Sequence, residues 1–174
     1  MTRSSPSCGR PVCSLAPMTS RPAAVDRVEK ALCDAGVTGQ IRELSDSART
    51  AKEAAAALGV EVGQIASSLV FLADSVPVMV VASGGHRVDE RRLAQLLGAT
   101  IGKANANDVR SATGYVIGGV SPVGLPPEMR VVVDEALAQY EVVWAAAGHT
   151  HWVFPTTFAE IVSMTGGRPA VVGG

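Results

Sequence analysis

The sequence predicts an α/β domain of α+β character, built on a mixed, largely antiparallel β-sheet or partly closed barrel with helices packed around it. Three observations carry that expectation. Helical and strand-like stretches are intermixed without the regular strand–helix–strand alternation of a parallel fold. The two most apolar runs, residues 65–73 and 76–82, are separated only by Asp74-Ser75, which marks a hairpin. The helical stretches are amphipathic and stop at glycines. With 174 residues and 47% hydrophobic content, the chain suits one continuous core.

Taken in order, Val25, Val28, Ala31, Leu32 and Ala35 recur at helical spacing, with Gly36 as the stop. A short strand follows over 39–44. Ser47 or Thr50 then caps a helix through Ala51, Ala54, Ala55 and Leu58, closed by Gly59. After the hairpin, Asp89 reads as the cap of a helix whose buried stripe is Leu93, Leu96 and Leu97. A shorter helix starts at Asn107 or Asp108 and ends near Gly114. Residues 115–120, 130–133 and 141–147 are β-branched or apolar and read as strands. The last strand is expected at 151–154, followed by a Thr156-capped helix to about Met164. Residues 1–21 read as a disordered leader of a cytoplasmic protein, 22–167 as the folded domain and 168–174 as a flexible tail.

Composition narrows the function. The 15 basic and 16 acidic residues leave a net charge of −1, so no overall field draws the chain to DNA or to an anionic membrane, and any nucleic-acid contact is local. No apolar run reaches the length of a membrane span. Aromatic residues make up only 4%, which argues against stacking on unpaired bases. Three cysteines are too few for a disulfide scaffold, and Cys33 on an apolar helix face reads as a small buried hydrophobe.

Motifs for nucleotide hydrolysis, dinucleotide binding and zinc proteolysis are absent. Gly119-Val120-Ser121-Pro122-Val123-Gly124 is one residue too long for a nucleophile elbow, and Pro122, Pro126 and Pro127 oppose the helix that such a serine needs. The wider segment from Gly118 to Gly124 remains the most informative stretch. Its glycines allow a ligand to approach the main chain and its proline freezes the turn, so the bend is expected to leave a hollow behind Ser121-Pro122; an ordinary tight connection is the alternative. His149 and His151 lie two apart on an expected strand and share a face. Packing, a pocket contact and metal binding all fit them, with no third ligand evident. His86, beside Gly84-Gly85, reads as a turn residue. Asp74, Asp89 and Asp134 read as turn or cap residues.

The order of Thr50-Ala51-Lys52-Glu53-Ala54-Ala55, Gln64-Ile65-Ala66-Ser67-Ser68-Leu69-Val70-Phe71, Arg87-Val88-Asp89, Gly114-Tyr115-Val116-Ile117 through Gly124, Val133-Asp134-Glu135-Ala136-Leu137 and Phe158 to Gly166 resembles the YbaK/EbsC family. That family is related to the editing domain inserted in bacterial prolyl-tRNA synthetases. The likeness spans roughly residues 24–167 and implies the editing-domain fold.

The resemblance also implies a freestanding trans-editing deacylase that hydrolyses the ester of a mischarged tRNA, with Cys- or Ala-charged tRNAPro as the type of substrate. A synthetase pocket rejects a smaller side chain by only about 1–3 kcal/mol, so a second site supplies the remaining discrimination. The element from Gly118 to Pro122 would line the aminoacyl pocket, with main-chain groups of Gly118, Gly119 and Ser121 stabilising the ester as negative charge develops. Ser68, Pro122, Gly124, His151 and Arg87 would contact substrate. From the residues themselves, Arg87, Arg91, Arg92, Lys103 and Arg110 either gather into a phosphate-binding patch or form a solvated basic face. Many members carry a lysine where this chain has Ser67, so a fixed charge becomes a neutral hydroxyl. No cofactor or metal is implied. The partner is the aminoacylated acceptor end of tRNA, with an aminoacyl-tRNA synthetase as a further candidate. The alternative is a non-catalytic module that binds an aminoacyl or nucleotide ligand and docks on a synthetase.

Overall fold

The computed structural model describes residues 22–37, 39–45 and 50–173; the expected leader over 1–21, Ser47 and the last residue of the expected tail lie outside them. Among the described residues, five α-helices surround one eight-stranded mixed sheet.

Helix α1 (Ala23–Asp34) buries Val25, Val28 and Leu32. Helix α2 (Ala51–Leu58) begins at Thr50, whose hydroxyl accepts from the Glu53 N–H while the Glu53 carboxylate accepts from the Thr50 N–H. This reciprocal cap settles the start that the sequence left between two residues. Helix α3 (Glu90–Leu97) is capped by Asp89 as expected, its carboxylate accepting from the Arg91 and Arg92 N–H groups. Helix α4 (Ala106–Thr113) starts earlier than expected because Asn105 forms its own reciprocal cap with Asp108. Helix α5 (Phe158–Thr165) is capped by Thr157, not Thr156, whose hydroxyl instead donates to the Glu160 carboxylate. Cys33, expected as a buried thiol, is disulfide-bonded, and its partner lies outside the described residues.

The sheet runs in the order β1 (Arg42–Glu43), β7 (Trp152–Thr156), β6 (Val143–Ala146), β2 (Ile65–Ala73), β3 (Val76–Ser83), β5 (Arg130–Asp134) and β8 (Arg168–Ala170); β4 (Ile101–Lys103) also pairs with β2. Four pairings are antiparallel and three are parallel. The expected hairpin is β2–β3. Asp74 and Ser75 both have positive φ (50° and 71°), the backbone that a two-residue turn needs to follow strand twist.

Alternation along the hairpin divides the core. Val70, Met79 and Val81 face a cluster with α1, α5 and residues 115–123, which includes Val28, Tyr115 and Ile161. Phe71, Val78 and Val80 face a second cluster with Leu93 of α3 and Val172.

Three expectations fail. Residues 115–120 are not a strand, because the Gly119 N–H bonds back to the Val116 carbonyl (3.0 Å) and Gly118 turns the chain at φ +93° before any partner strand is reached. His149 and His151 are not on a strand either; they lie in the turn between β6 and β7, with the Trp152 N–H bonded to the His149 carbonyl and His151 at φ +71°. The alternation that would give them one face therefore does not apply. Residues 168–173, expected within a flexible tail, supply strand β8 beside β5, a fully buried Val172 and a bridge from Gly173 to Val88. The apolar alternation of Ala170 and Val172 drives that docking.

Candidate functional site

Strand β2 has partners on both edges, but one edge is interrupted. Strand β3 pairs along it from Ala66 to Ala73. On the other side β6 pairs only at Ile65 and Ala66, and β4 only from Phe71 to Ala73. Between them the edge is open. In a two-residue hairpin the residues flanking the turn exchange main-chain bonds, and every second residue does so thereafter. Counting from Ala73, Ser67 bonds toward β3, whereas the N–H and C=O of Ser68 point into the opening.

The side chains diverge in the same way. Ser68 shares a face with Ala66 and Val70, which belong to the cluster containing Val120 and Val123. Its Oγ is buried and has no hydrogen-bond partner among the described residues. Such a hydroxyl costs about 1–3 kcal/mol to leave unpaired, so it marks a site that stability alone does not select. Ser67 is half-buried and faces the other side, with Ile65 and Phe71.

The loop over 115–124 stands against the turn of β6–β7. A methyl group placed on Gly119 would overlap the His149 main chain, and one on Gly118 would lie 3.1 Å from the Thr150 methyl. Strand β6 leaves β2 after Ala145 and reaches that turn within three residues, so loop and turn border the opening at Ser68. The loop's tip is exposed at Ile117 and Gly118. Behind the tip it is closed: Ser121 is fully buried, its Oγ accepting from the Val123 N–H (3.3 Å), and Pro122 and Val123 are also buried. The hollow expected behind Ser121-Pro122 is filled by the core, because Val120 and Val123 pack there. Gly119 has its N–H committed to Val116, whereas no acceptor among the described residues takes the N–H of Gly118.

Gly124 borders a cavity of about 330 Å³ with Arg27, Ser111, Thr113 and Leu125. The guanidinium of Arg27 stacks on the ring of Tyr115 at 4.2 Å, and its Nη2 donates to the Thr113 carbonyl at 2.6 Å. Tyr115 is buried and donates its hydroxyl to the Val123 carbonyl at 2.6 Å. Burial pushes the Tyr115 hydroxyl above its ordinary pKa, with Arg27 lowering it part of the way back.

His151 lies at the far side of the turn, its carbonyl accepting from the Leu44 N–H. His149 Nδ1 lies 3.4 Å from the Thr150 hydroxyl. Among the described residues no group of three or more His, Cys, Asp or Glu is arranged to hold a metal. Arg87, Arg91 and Arg92 are exposed and lead into or open α3, which packs on the opposite face of the sheet from the loop, so the structure does not gather them with it. Lys103 lies on β4, at the far rim of the opening, opposite Phe71.

The sequence reading missed a pairing of His86 with Asp134. The Nε2 of His86 lies 2.5 Å from Asp134 Oδ2, and that buried carboxylate also accepts from the Ser83 and Ala136 N–H groups. Ser83, His86 and Asp134 are the residue types of a hydrolase triad, but the Ser83 hydroxyl donates to the Gly63 carbonyl at 2.8 Å and is not directed at the imidazole. The group fastens β3, β5 and the segment beyond β3 together. No signal in the sequence joins residues 48 apart in this way.

Comparison with known proteins agrees with this architecture. The family model of the aminoacyl-tRNA editing domain matches residues 45–163. The chain is 38% identical to a solved protein described as a candidate trans-editing enzyme for prolyl-tRNA synthetase, with a TM-score of 0.84 over 89% of this chain and 99% of that one. It is 31% identical to YwhH of Bacillus subtilis, a protein without an assigned function, over 70% of this chain and 78% of that one. It is 28% identical to EbsC of Enterococcus faecalis, provisionally described as a Cys-tRNA(Pro)/Cys-tRNA(Cys) deacylase, over 74% and 79%. It is also 29% identical to a proline–tRNA ligase of Bacillus licheniformis, covering 87% of this chain and only 29% of the ligase. The chain belongs to the aminoacyl-tRNA editing domain family, and its mixed sheet with five helices is the YbaK-type editing fold. No described helix is long and apolar enough to cross a membrane.

Proposed function

We propose that this protein is an aminoacyl-tRNA deacylase acting in trans, hydrolysing the ester between a mischarged amino acid and the terminal ribose of tRNA, with Cys- or Ala-charged tRNAPro as first candidates. The observation that carries the reading is the exposed loop tip, with the Gly118 N–H uncommitted, beside the open edge of β2 at Ser68 in a chain of the editing family. Substrate approaches that tip and edge, since the space behind the bend is filled. Water attacks the ester carbonyl carbon, and the oxygen gains negative charge that the Gly118 N–H meets. The bond from carbon to the ribose oxygen then breaks, and the proton released by the water ends on that oxygen. No side-chain nucleophile is needed, consistent with Ser121 being enclosed and Ser83 being bonded to Gly63. Ser68 and the turn carrying His149 and His151 border the aminoacyl group. Gly124 and Pro122 hold the loop's shape, and Lys103 is better placed than Arg87 to meet a phosphate.

A panel of mischarged tRNAs incubated with the purified protein tests this directly. Accelerated ester loss from at least one, abolished by Gly118→Pro, supports deacylation. No acceleration across the panel, Cys- and Ala-tRNAPro included, removes it. One feature favours a second reading: Ser67 is neutral at the position where the resemblance implies a lysine in many members of the family. A binding module would hold a non-hydrolysable aminoacyl-tRNA analogue without turnover, and Ser67→Lys would then create activity that the parent lacks.

A further inference from the structure

We propose that Tyr115, braced by Arg27, is a positioning residue that sets the geometry of the loop tip used for ester hydrolysis; the inference rests on the deacylase reading above. The tip is presented by a loop of which 115 and 123 form the neck. The Tyr115 hydroxyl closes that neck by donating to the Val123 carbonyl at 2.6 Å. Among the described residues it is the one side-chain bond that crosses the loop's base; the bonds from the Tyr115 N–H to the Thr113 hydroxyl and from the Val123 N–H to Ser121 are local.

The surroundings are shaped to admit it. A methyl group on Gly124 would lie 2.6 Å from the Tyr115 hydroxyl and push it off the Val123 carbonyl. A methyl group on Gly114 would lie 2.7 Å from Arg27 Nη1 and displace the guanidinium from the ring. Both glycines have positive φ, 72° at Gly124 and 82° at Gly114, so each position is doubly restricted. Arg27 is in turn fixed by its bond to the Thr113 carbonyl and forms no ion pair with a carboxylate among the described residues. The chain of contacts runs from α1, through Arg27 and the Tyr115 ring, to Val123 and so to the main chain that carries Gly118. Tyr115 itself is buried and does not touch substrate.

A donor misplaced by about an ångström costs rate far more than it costs binding, because only the transition state demands the full geometry. The test separates the two. Single-turnover deacylation and affinity for a non-hydrolysable aminoacyl-tRNA analogue are measured for wild type, Tyr115→Phe and Arg27→Gln. Tyr115→Phe is expected to slow the chemical step about a hundredfold while analogue affinity stays within about threefold; Arg27→Gln gives a smaller loss of the same kind. A rate within about twofold of wild type in Tyr115→Phe, or parallel losses of rate and affinity, overturns the proposal. Amide exchange at Gly119, whose N–H bonds to the Val116 carbonyl at 3.0 Å, provides in the same variants a readout that needs no turnover: acceleration is expected, and unchanged exchange overturns the proposal. Absence of turnover in wild type would defeat the deacylase reading alone, leaving the exchange result to decide the loop's control.

Discussion

Ser67 and Ser68 are neighbours on β2 that face opposite sides of the sheet, and only Ser68 directs its main chain into the gap between β6 and β4. The two serines therefore have different chemistry, although the sequence presents them as a pair. Replacing Ser68 by alanine removes a buried hydroxyl with no partner among the described residues. Ser68→Ala is expected to raise unfolding stability by about 0.5–1 kcal/mol in urea titration while lowering deacylation about tenfold. A loss of stability would mean that the hydroxyl is bonded within the fold. Ser67→Ala should leave both quantities nearly unchanged.

Gly119 is required by packing. Its Cα lies against the His149 main chain, and a methyl group there has nowhere to go because its neighbour is backbone. Gly119→Ala should destabilise by about 1–3 kcal/mol and separate the loop from the β6–β7 turn. Thermal unfolding together with deacylation at a temperature where the variant is folded checks both effects, and a variant as active and as stable as wild type would show that the two segments are not in contact.

Asp134 carries three hydrogen bonds at 1% exposure, from His86, Ser83 and Ala136. Asp134→Ala leaves those donors without an acceptor and should cost about 3–5 kcal/mol. His86→Ala keeps the carboxylate's two main-chain donors and should cost about 1 kcal/mol. Denaturant titration of both variants measures the difference. Equal losses would show that the imidazole, rather than the carboxylate, organises this junction.

The Tyr115 hydroxyl holds its proton more tightly in the folded protein, chiefly because burial disfavours the phenolate. A group with a raised folded pKa contributes stability that is complete below the unfolded value near 10 and is lost as pH rises beyond it. Stability should therefore show no pH dependence from this group between about pH 7 and 9 and should decline above about 10, with a shallower decline in Tyr115→Phe. Thermal unfolding of the two proteins across that range decides it; superimposable profiles would refute the buried phenol.

The parts of this structure legible in the sequence are those fixed locally. Asp89, Thr50 and the Asp74-Ser75 turn announce themselves because capping and turn chemistry act over two to four residues. The Ser67-Ser68 pair stands out only through the segment order of the family it resembles, and the opposite facing of the two serines depends on the strand register. What stayed hidden depends on partners far along the chain. Residues 115–120 are apolar enough for a strand, yet Tyr115 and Val120 bury themselves within a loop, and composition does not distinguish the two. Strand β8 needs β5 beside it, the gap at Ser68 needs both β4 and β6, and the His86–Asp134 pair needs the ends of β3 and β5 side by side.

The β2–β3 hairpin also bears on how the molecule assembles. Its eight paired positions, from Ala66 and Ser83 to Ala73 and Val76, form across a two-residue turn, whereas β3 meets β5, and β5 meets β8, only after long stretches of chain are brought together. Loop-closure entropy makes the near contacts form early and the distant ones late. A nascent chain would thus acquire its central ribbon soon after Ser83 leaves the ribosome, while the side covered by β5 and β8 stays exposed to chaperones until synthesis reaches Ala170.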